Sequence, residues 1–560
     1  MTPFWFVVIA LVAYAIAYLW YGRRYEREIW QPDPKRTTPA HMYMDGVEFF
    51  PSSRYVLWGY QFKSIAALGP ILGPFIGVTY GWLPALIWII LGNFFIGWVH
   101  DYSAIMLTVR NEGKSMGPIS YELLGPAGRN TLLGFLLFYL LLISAVFIYL
   151  VSLFWNIFPT TFMATLGVIV TGIIVGQLIY RAKMSIVPVT IIAIVLVIAS
   201  IFLGMAVPMP KNFLGAWTVP FWAAVMCVFL YFGAVLPMPT FAQPTIYVAF
   251  FPAFAGVILI ILGALLSPIT GVRLLQPAFT SVFPKGMAGP GPIWPILTVS
   301  IACGAISGWH SLVGTSTTGK QLDIETDAYP VGAGAMLTEG LLALASLAAY
   351  MVCTPDIIAK GKVGAFVAGA TKLTSAYLGN EVFFTTFFGL FLAIYALTVQ
   401  ILVTRFMRMF FAEMFPDTIW ANMHVATIIS LIVAWLFAVS GSWINLWLYF
   451  GGSNQLLAGM ALMLVTIYLA RQKRSTSYTL GPAIFMLVTT LAALIWETWV
   501  FIRAFIVGKP LVKPPLDKIA YPTLAFALNG LFVIVGVVLF ILGIRMTIMA
   551  WRRYQEAKAA

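Results

Sequence analysis

The sequence predicts an all-α polytopic membrane protein of about 15 spans. Of its 560 residues 61% are hydrophobic and only 9% charged, whereas a soluble chain carries roughly 25% charged residues. Apolar runs of about 20 residues, the length a bilayer requires, recur from end to end between charged, proline and glycine punctuation. Most of the 32 lysines and arginines sit where those runs stop, as expected of topology signals. So apolar a surface would aggregate in water, which excludes a soluble enzyme, a disordered chain and a collagen-like fibre.

Residues 1–21 read as an N-terminal transmembrane anchor, because the charges follow the apolar run and no small-residue cleavage site closes it. Residues 22–55 form a cytoplasmic segment. Runs near 56–79, 83–108, 131–155, 161–180 and 185–206 make a first unit of five helices, residues 56–206. Runs near 218–243, 246–267, 293–313, 332–353 and 381–404 make a second, residues 218–404. Four more, near 422–440, 445–469, 480–502 and 522–544, are peripheral helices (residues 422–544) before a cytoplasmic tail, residues 545–560. An outside N-terminus and an inside C-terminus put most basic residues on the cytoplasmic face. The net charge of +13 therefore reads as orientation in the cell membrane rather than nucleic-acid binding. Cys227, Cys303 and Cys353 are too dispersed for a disulfide framework or a CxxC pair and read as small packing residues.

Two spans carry interruptions. GYQFKSIAALGPILGPFIGV, residues 59–78, places Pro70 and Pro74 among Gly69, Gly73 and Gly77. Five spans later YFGAVLPMPTFAQP, residues 231–244, brings Pro237, Pro239 and Pro244. Each proline removes a backbone donor and clashes with the preceding turn. Interruptions at matching places in two halves that run oppositely across the membrane point to a five-plus-five inverted repeat, LeuT/APC-like, with its site at the unwound backbone. The alternative is ordinary proline kinks, with the three glycines as a helix-packing face.

The same residues resemble the carbon starvation protein A family of membrane transporters. The likeness begins with Thr38-Pro39-Ala40 and Asp45-Gly46 before Pro51, and continues through Gly59 to Phe62, Ile65-Ala66 and Gly69 to Pro74. It resumes at Gly81 to Pro84, His100-Asp101, Arg110 with Gly113, Leu236-Pro237 and Gln243-Pro244. It is most specific in CGAISGWHSLVGTSTTGKQLDIETDA, residues 303–328, and extends through Gly332 to Glu339, Phe450-Gly451 and Asn454 to Ala458. The resemblance implies uptake across the cytoplasmic membrane, with pyruvate or short peptides as substrate and a proton gradient as drive. Sodium is the alternative coupling ion. The chain departs from many members at Tyr60 and Gln61, where they carry two histidines, and at Ile401, where an acidic residue often precedes the Thr404-Arg405 pair.

Lys63 is a cation inside a span just before the Gly69-Pro70 break, so it reads either as the partner of a substrate carboxylate or as a lysine snorkelling to the inner interface. His100 and Asp101 are a titratable pair near the inner end of a span, against the plainer reading of a helix-end polar pair. Ser307, His310, Ser311 and Thr315 to Thr318 crowd hydroxyls and an imidazole beside glycines, although such hydroxyls often bond their own backbone. Glu339 is an intramembrane carboxylate and by default functional. Substrate contacts are thus expected from Tyr60, Gln61, Lys63, Gly69, Pro70, Gly73, Pro237, Pro239 and Gln243, and ion or proton coupling from His100, Asp101, Ser307, His310, Thr315 and Glu339. Asp323, Glu325 and Asp327 read as solvated loop carboxylates rather than a metal site, Asn454 and Gln455 as helix-to-helix glue, and Glu497 and Arg503 as peripheral.

An integral-membrane enzyme is the rival class, but no HExxH or GxSxG occurs, and His41, His100, His310 and His424 are too scattered for paired haem ligation. A transport-inactive membrane subunit would need charges recurring along several spans. No GxxxxGK[ST] loop offers ATP drive. The expectation is a symporter of a small carboxylate or peptide in the lipid bilayer, with no cofactor, no metal and no nucleic-acid partner.

Overall fold

A computed structural model of the chain describes residues 1–46, 48–284, 290–440, 443–511 and 522–559. Among them the secondary structure is helical, and the sole β-type pairing is an isolated bridge between Ser52 and Leu322. Among the described residues twelve helices are long and apolar enough to cross a membrane. They are α1 (Phe4–Trp30), α4 (Trp82–Arg110), α5 (Pro126–Ile157), α6 (Thr161–Tyr180), α7 (Ile186–Ala206), α8 (Gly215–Val235), α9 (Ala242–Leu265), α12 (Glu325–Met351), α13 (Glu381–Met414), α15 (Leu446–Arg471), α16 (Ser477–Ile506) and α17 (Ala525–Ala559). The three other runs read from the sequence are two broken helices and the short helix α14 (Met423–Ala438). One broken pair is α2 (Arg54–Ile65) with α3 (Gly69–Gly77), the other α10 (Ile293–Ser300) with α11 (Gly308–Ser316).

The first break has a local cause. Pro70 lacks the N–H that would continue the helix onto the Ala66 carbonyl, so α2 stops and α3 restarts with the proline in its first turn, where it is tolerated. The second has none: no proline lies between Ile301 and Ser307. That stretch is held open by side chains of other helices. Asn93 Nδ2 donates to the Gly304 carbonyl at 2.5 Å, Gln455 Nε2 and Trp88 Nε1 donate to the Thr298 carbonyl at 2.8 and 3.2 Å, and Asn454 Oδ1 accepts from the Trp309 amide at 3.0 Å. Buried backbone groups that lose their helical partners require such replacements in lipid.

The break expected at Pro237 and Pro239 is therefore not the partner of the first. Pro237 and the turn Met238–Thr240 connect α8 to α9, and Pro244 lies in the first turn of α9. These prolines stop one span and start the next, the two places where a missing donor costs least. The second broken helix lies two spans later, at residues 293–316.

The two broken helices pack antiparallel: α2 lies against α11 and α3 against α10, with α4 and α12 completing the bundle and α5, α13 and α15 packed beside it. The crossing is close. A Cβ on Gly69 would fall 2.2 Å from Cys303 Sγ, and one on Gly73 2.8 Å from Ile301 Cα. Gly73→Ala is thus expected to push against backbone and to cost about 1–3 kcal/mol, read as a lower melting temperature of the detergent-purified chain. An unchanged melting temperature would show that the crossing is looser than described.

Helix α1 runs on to Trp30, beyond the anchor read at residues 1–21, and the segment after it, residues 31–46 and 48–55, straps one end of the bundle. Thr38 Oγ1 donates to the Leu322 carbonyl at 2.6 Å and the Ser52 amide to the Gln321 carbonyl at 3.0 Å. Glu325, fully buried, pairs with Arg110 and accepts from the Asp33 amide at 2.7 Å, while Asp323 meets His41 at 2.8 Å. Two of the three loop carboxylates are thus tied to separate basic partners.

Candidate functional site

The site lies where the breaks meet and is built from ionisable groups on four helices. His310 is in the first turn of α11, immediately after the opened stretch, and Asp101 and His100 are on α4 one turn beyond a widened helical turn at Asn93–Gly97. Glu339 is on α12 and Lys63 is in the last turn of α2. All five are at most 1% exposed.

Four of them form a line. His100 Nδ1 lies 2.8 Å from Asp101 Oδ1, Asp101 Oδ2 lies 2.9 Å from His310 Nδ1, and His310 Nε2 lies 2.8 Å from Glu339 Oε2. A neutral imidazole has one N–H and one lone pair. It donates to a single carboxylate, and a bare nitrogen facing a second ionised oxygen at 2.8 Å would be repulsive. The Nδ1 side of His310 is hydrogen-bonded to Asp101, while the Nε2 side stands at 2.8 Å from Glu339 without hydrogen-bond geometry, so a proton between that nitrogen and the carboxylate would turn a repulsive approach into an attractive one.

Lys63 stands at the other side of Glu339. Its Nζ donates to Thr398 Oγ1 at 2.6 Å and to the Ala66 carbonyl, freed by the first break, at 3.5 Å, and sits 4.4 Å from the centre of the Tyr395 ring. It is beyond ion-pair distance of Glu339 yet within its electrostatic reach. The side chain does not snorkel: it points to α13 and not to an interface. With one proton on the line, Lys63, Asp101 and Glu339 balance to zero net charge, which such burial demands.

The remaining sequence candidates separate into three groups. Tyr60 and Gln243 line a cavity of about 110 Å³ at the strapped end of the bundle, with Thr317, Arg405 and Arg408, and also border a second of about 320 Å³ with Tyr247 and Phe250. Gln61 accepts from Thr318 and leaves its Nε2 without a partner. Gly69, Pro70 and Gly73 make the helix crossing, whereas Pro237 and Pro239 belong to the α8–α9 connection. Ser307 donates to Asn454 Oδ1 at 3.2 Å, and Thr315 returns its hydroxyl to the Ser311 carbonyl at 2.7 Å. Glu497 is buried without a hydrogen-bond partner and stands apart from the line.

Three residues of the centre escape sequence reasoning, Asn93, Tyr395 and Thr398, while Asn454 joins helices as expected and in doing so caps α11. Asn454 Oδ1 accepts from Tyr139, Ser307 and the Trp309 amide, and its Nδ2 faces Cys303 Sγ at 3.3 Å. Asn454→Leu is expected to strand several buried donors at about 1–3 kcal/mol each, lowering the melting temperature and cutting uptake at least about tenfold. Wild-type stability in that variant would remove Asn454 from the account of the second break.

Residues 2–360 and 356–493 match the family described as Carbon starvation protein CstA. The chain belongs to that family. It is 27% identical to the peptide transporter CstA of Bacillus subtilis, over 98% of this chain and 97% of that one. It is 30% identical to the pyruvate/proton symporter BtsT of Escherichia coli, over 64% of this chain and 50% of that one. Among solved structures, MhsT in complex with L-phenylalanine aligns with 81% of this chain and 99% of its own, at 14% identity and a TM-score of 0.47. The family match includes the opened stretch, His310 and Glu339, and the chain is a multi-pass membrane protein whose relatives are transporters.

Proposed function

We propose that the chain is a secondary active transporter that imports a small monocarboxylate, pyruvate foremost, together with a proton across the cell membrane, with its N-terminus outside and its C-terminus in the cytoplasm. The observation that carries this reading is one buried cation, Lys63, beside a line of two imidazoles and two carboxylates that needs a proton to close. A substrate carboxylate arriving at Lys63 adds a negative charge to a neutral, desolvated centre, and a second proton on the Glu339 side restores neutrality. Anion and proton thus enter together because neither is tolerated there alone. Tyr60, Gln61 and Gln243 would border the substrate path, with Ser307 and Thr315 on the coupling side.

Relatives named for peptides and for pyruvate leave two substrate classes, and the charges favour the second. A peptide brings an ammonium as well as a carboxylate. Asp101 and Glu339 both stand against His310, so that ammonium would have to compete with the ring for them. Competition in proteoliposome counterflow decides the class: pyruvate and lactate are expected to displace labelled pyruvate while alanylalanine does not. Alanylalanine that competes and is itself carried would transfer the assignment to peptides.

A further inference from the structure

The cavity at the strapped end of the bundle carries a pair of cations that the transport reading does not explain. Arg405 and Arg408 on α13 both line it, and Arg405 feels the charge of Arg408 and, in the opposite sense, those of Tyr60 and Glu48. Among the described residues neither has a carboxylate within 4 Å. Arg405 Nη1 donates to the Gly233 and Leu236 carbonyls at 3.0 and 2.7 Å, capping the end of α8. Arg408 Nε is buried and unpartnered. The acidic side chain in the lining, Glu48, is held by Lys320 at 2.7 Å. The cavity also reaches Tyr60, one helical turn along α2 from Lys63, and Thr317, just past the end of α11.

We infer that this cavity is a second carboxylate subsite, in which Arg405 and Arg408 hold the substrate anion between the Lys63 centre and the basic face of the bundle. Two half-buried guanidinium groups side by side repel each other, and an anion between them reverses the sign of that interaction. A planar carboxylate suits guanidinium, which pairs with it through two parallel N–H donors. Lys63 is a fully buried point charge, so a ladder of two cationic stations would let the anion leave the centre without crossing uncompensated low-dielectric space. The inference rests on the carboxylate reading above. The shared chemistry is a carboxylate, whether of a keto acid or of a peptide terminus.

The test uses the full chain, purified in detergent and reconstituted, as wild type, Arg408→Gln and Arg408→Lys, with pyruvate, its uncharged methyl ester, alanylalanine and inorganic phosphate as probes. Pyruvate but not methyl pyruvate is expected to stabilise the wild type, and R408Q to need about tenfold more pyruvate for the same stabilisation, the loss of one charge-assisted contact. R408K should fall between, which separates charge from packing and remains informative if R408Q folds poorly. In vesicles, R408Q should raise the half-saturating pyruvate concentration when substrate is offered at the basic face and leave the opposite face within about twofold. Identical pyruvate stabilisation in wild type and R408Q, or equal shifts at both faces, would overturn the subsite. Stabilisation by alanylalanine in place of pyruvate, lost in R408Q, would keep the subsite and overturn the monocarboxylate reading. If the wild type neither binds nor carries a carboxylate, the subsite falls together with that reading, and phosphate that stabilises the wild type but not R408Q would make the cavity an anion site of another chemistry; carboxylate transport that R408Q leaves untouched overturns the subsite alone.

Discussion

Glu339→Gln is expected to abolish proton-driven accumulation while sparing exchange. Glutamine matches glutamate in shape and still reaches His310, so the line keeps its packing, but it takes up no proton when the substrate anion arrives. In the wild type, symport of one proton per carboxylate turns a one-unit pH gradient into about 1.4 kcal/mol, or about tenfold accumulation. In Glu339→Gln the internal to external ratio should settle at about one, and the rise of wild-type uptake with falling external pH should flatten. Counterflow of labelled against unlabelled pyruvate, which needs no net proton movement, should persist. Accumulation that remains gradient-dependent in Glu339→Gln would move proton coupling to another residue.

Lys63→Met should have the second largest effect. The substitution preserves length and apolar volume, removes the donor to Thr398 and the cation against Tyr395, and leaves the carboxylates uncompensated. Removing one partner of a buried charge pair costs about 3–5 kcal/mol, so the half-saturating pyruvate concentration should rise by about 10²-fold to 10³-fold. The double variant Lys63→Met with Glu339→Gln should recover stability, because the removed charges offset each other, without recovering accumulation. Additive losses of stability in the double variant would show that Lys63 and Glu339 do not sense one another.

The membrane spans and the ionisable centre are legible in the sequence for the same physical reason: a charge within an apolar run is expensive and therefore conspicuous. Lys63, His100, Asp101, His310 and Glu339 all stand out in that way, and the structure gathers them into one buried cluster. The first break is legible because Pro70 acts on its own chain. The second is not, since its opening is written on α4 and α15, in Asn93, Trp88, Asn454 and Gln455, far away in sequence. Pro237 and Pro239 misdirect because a proline that ends one span resembles a proline that interrupts one. Thr398 is silent for another reason: its hydroxyl also bonds the Ile394 carbonyl at 2.7 Å, as any membrane-helix threonine does, and only the fold brings Lys63 to its oxygen.

The most direct test of the central claim is the uptake of labelled pyruvate into proteoliposomes under an inward proton gradient in sodium-free buffer, with and without a protonophore. Accumulation above equilibrium that the protonophore collapses is the expected result. Accumulation that requires a sodium gradient and ignores the protonophore would contradict proton symport through the line from His100 to Glu339.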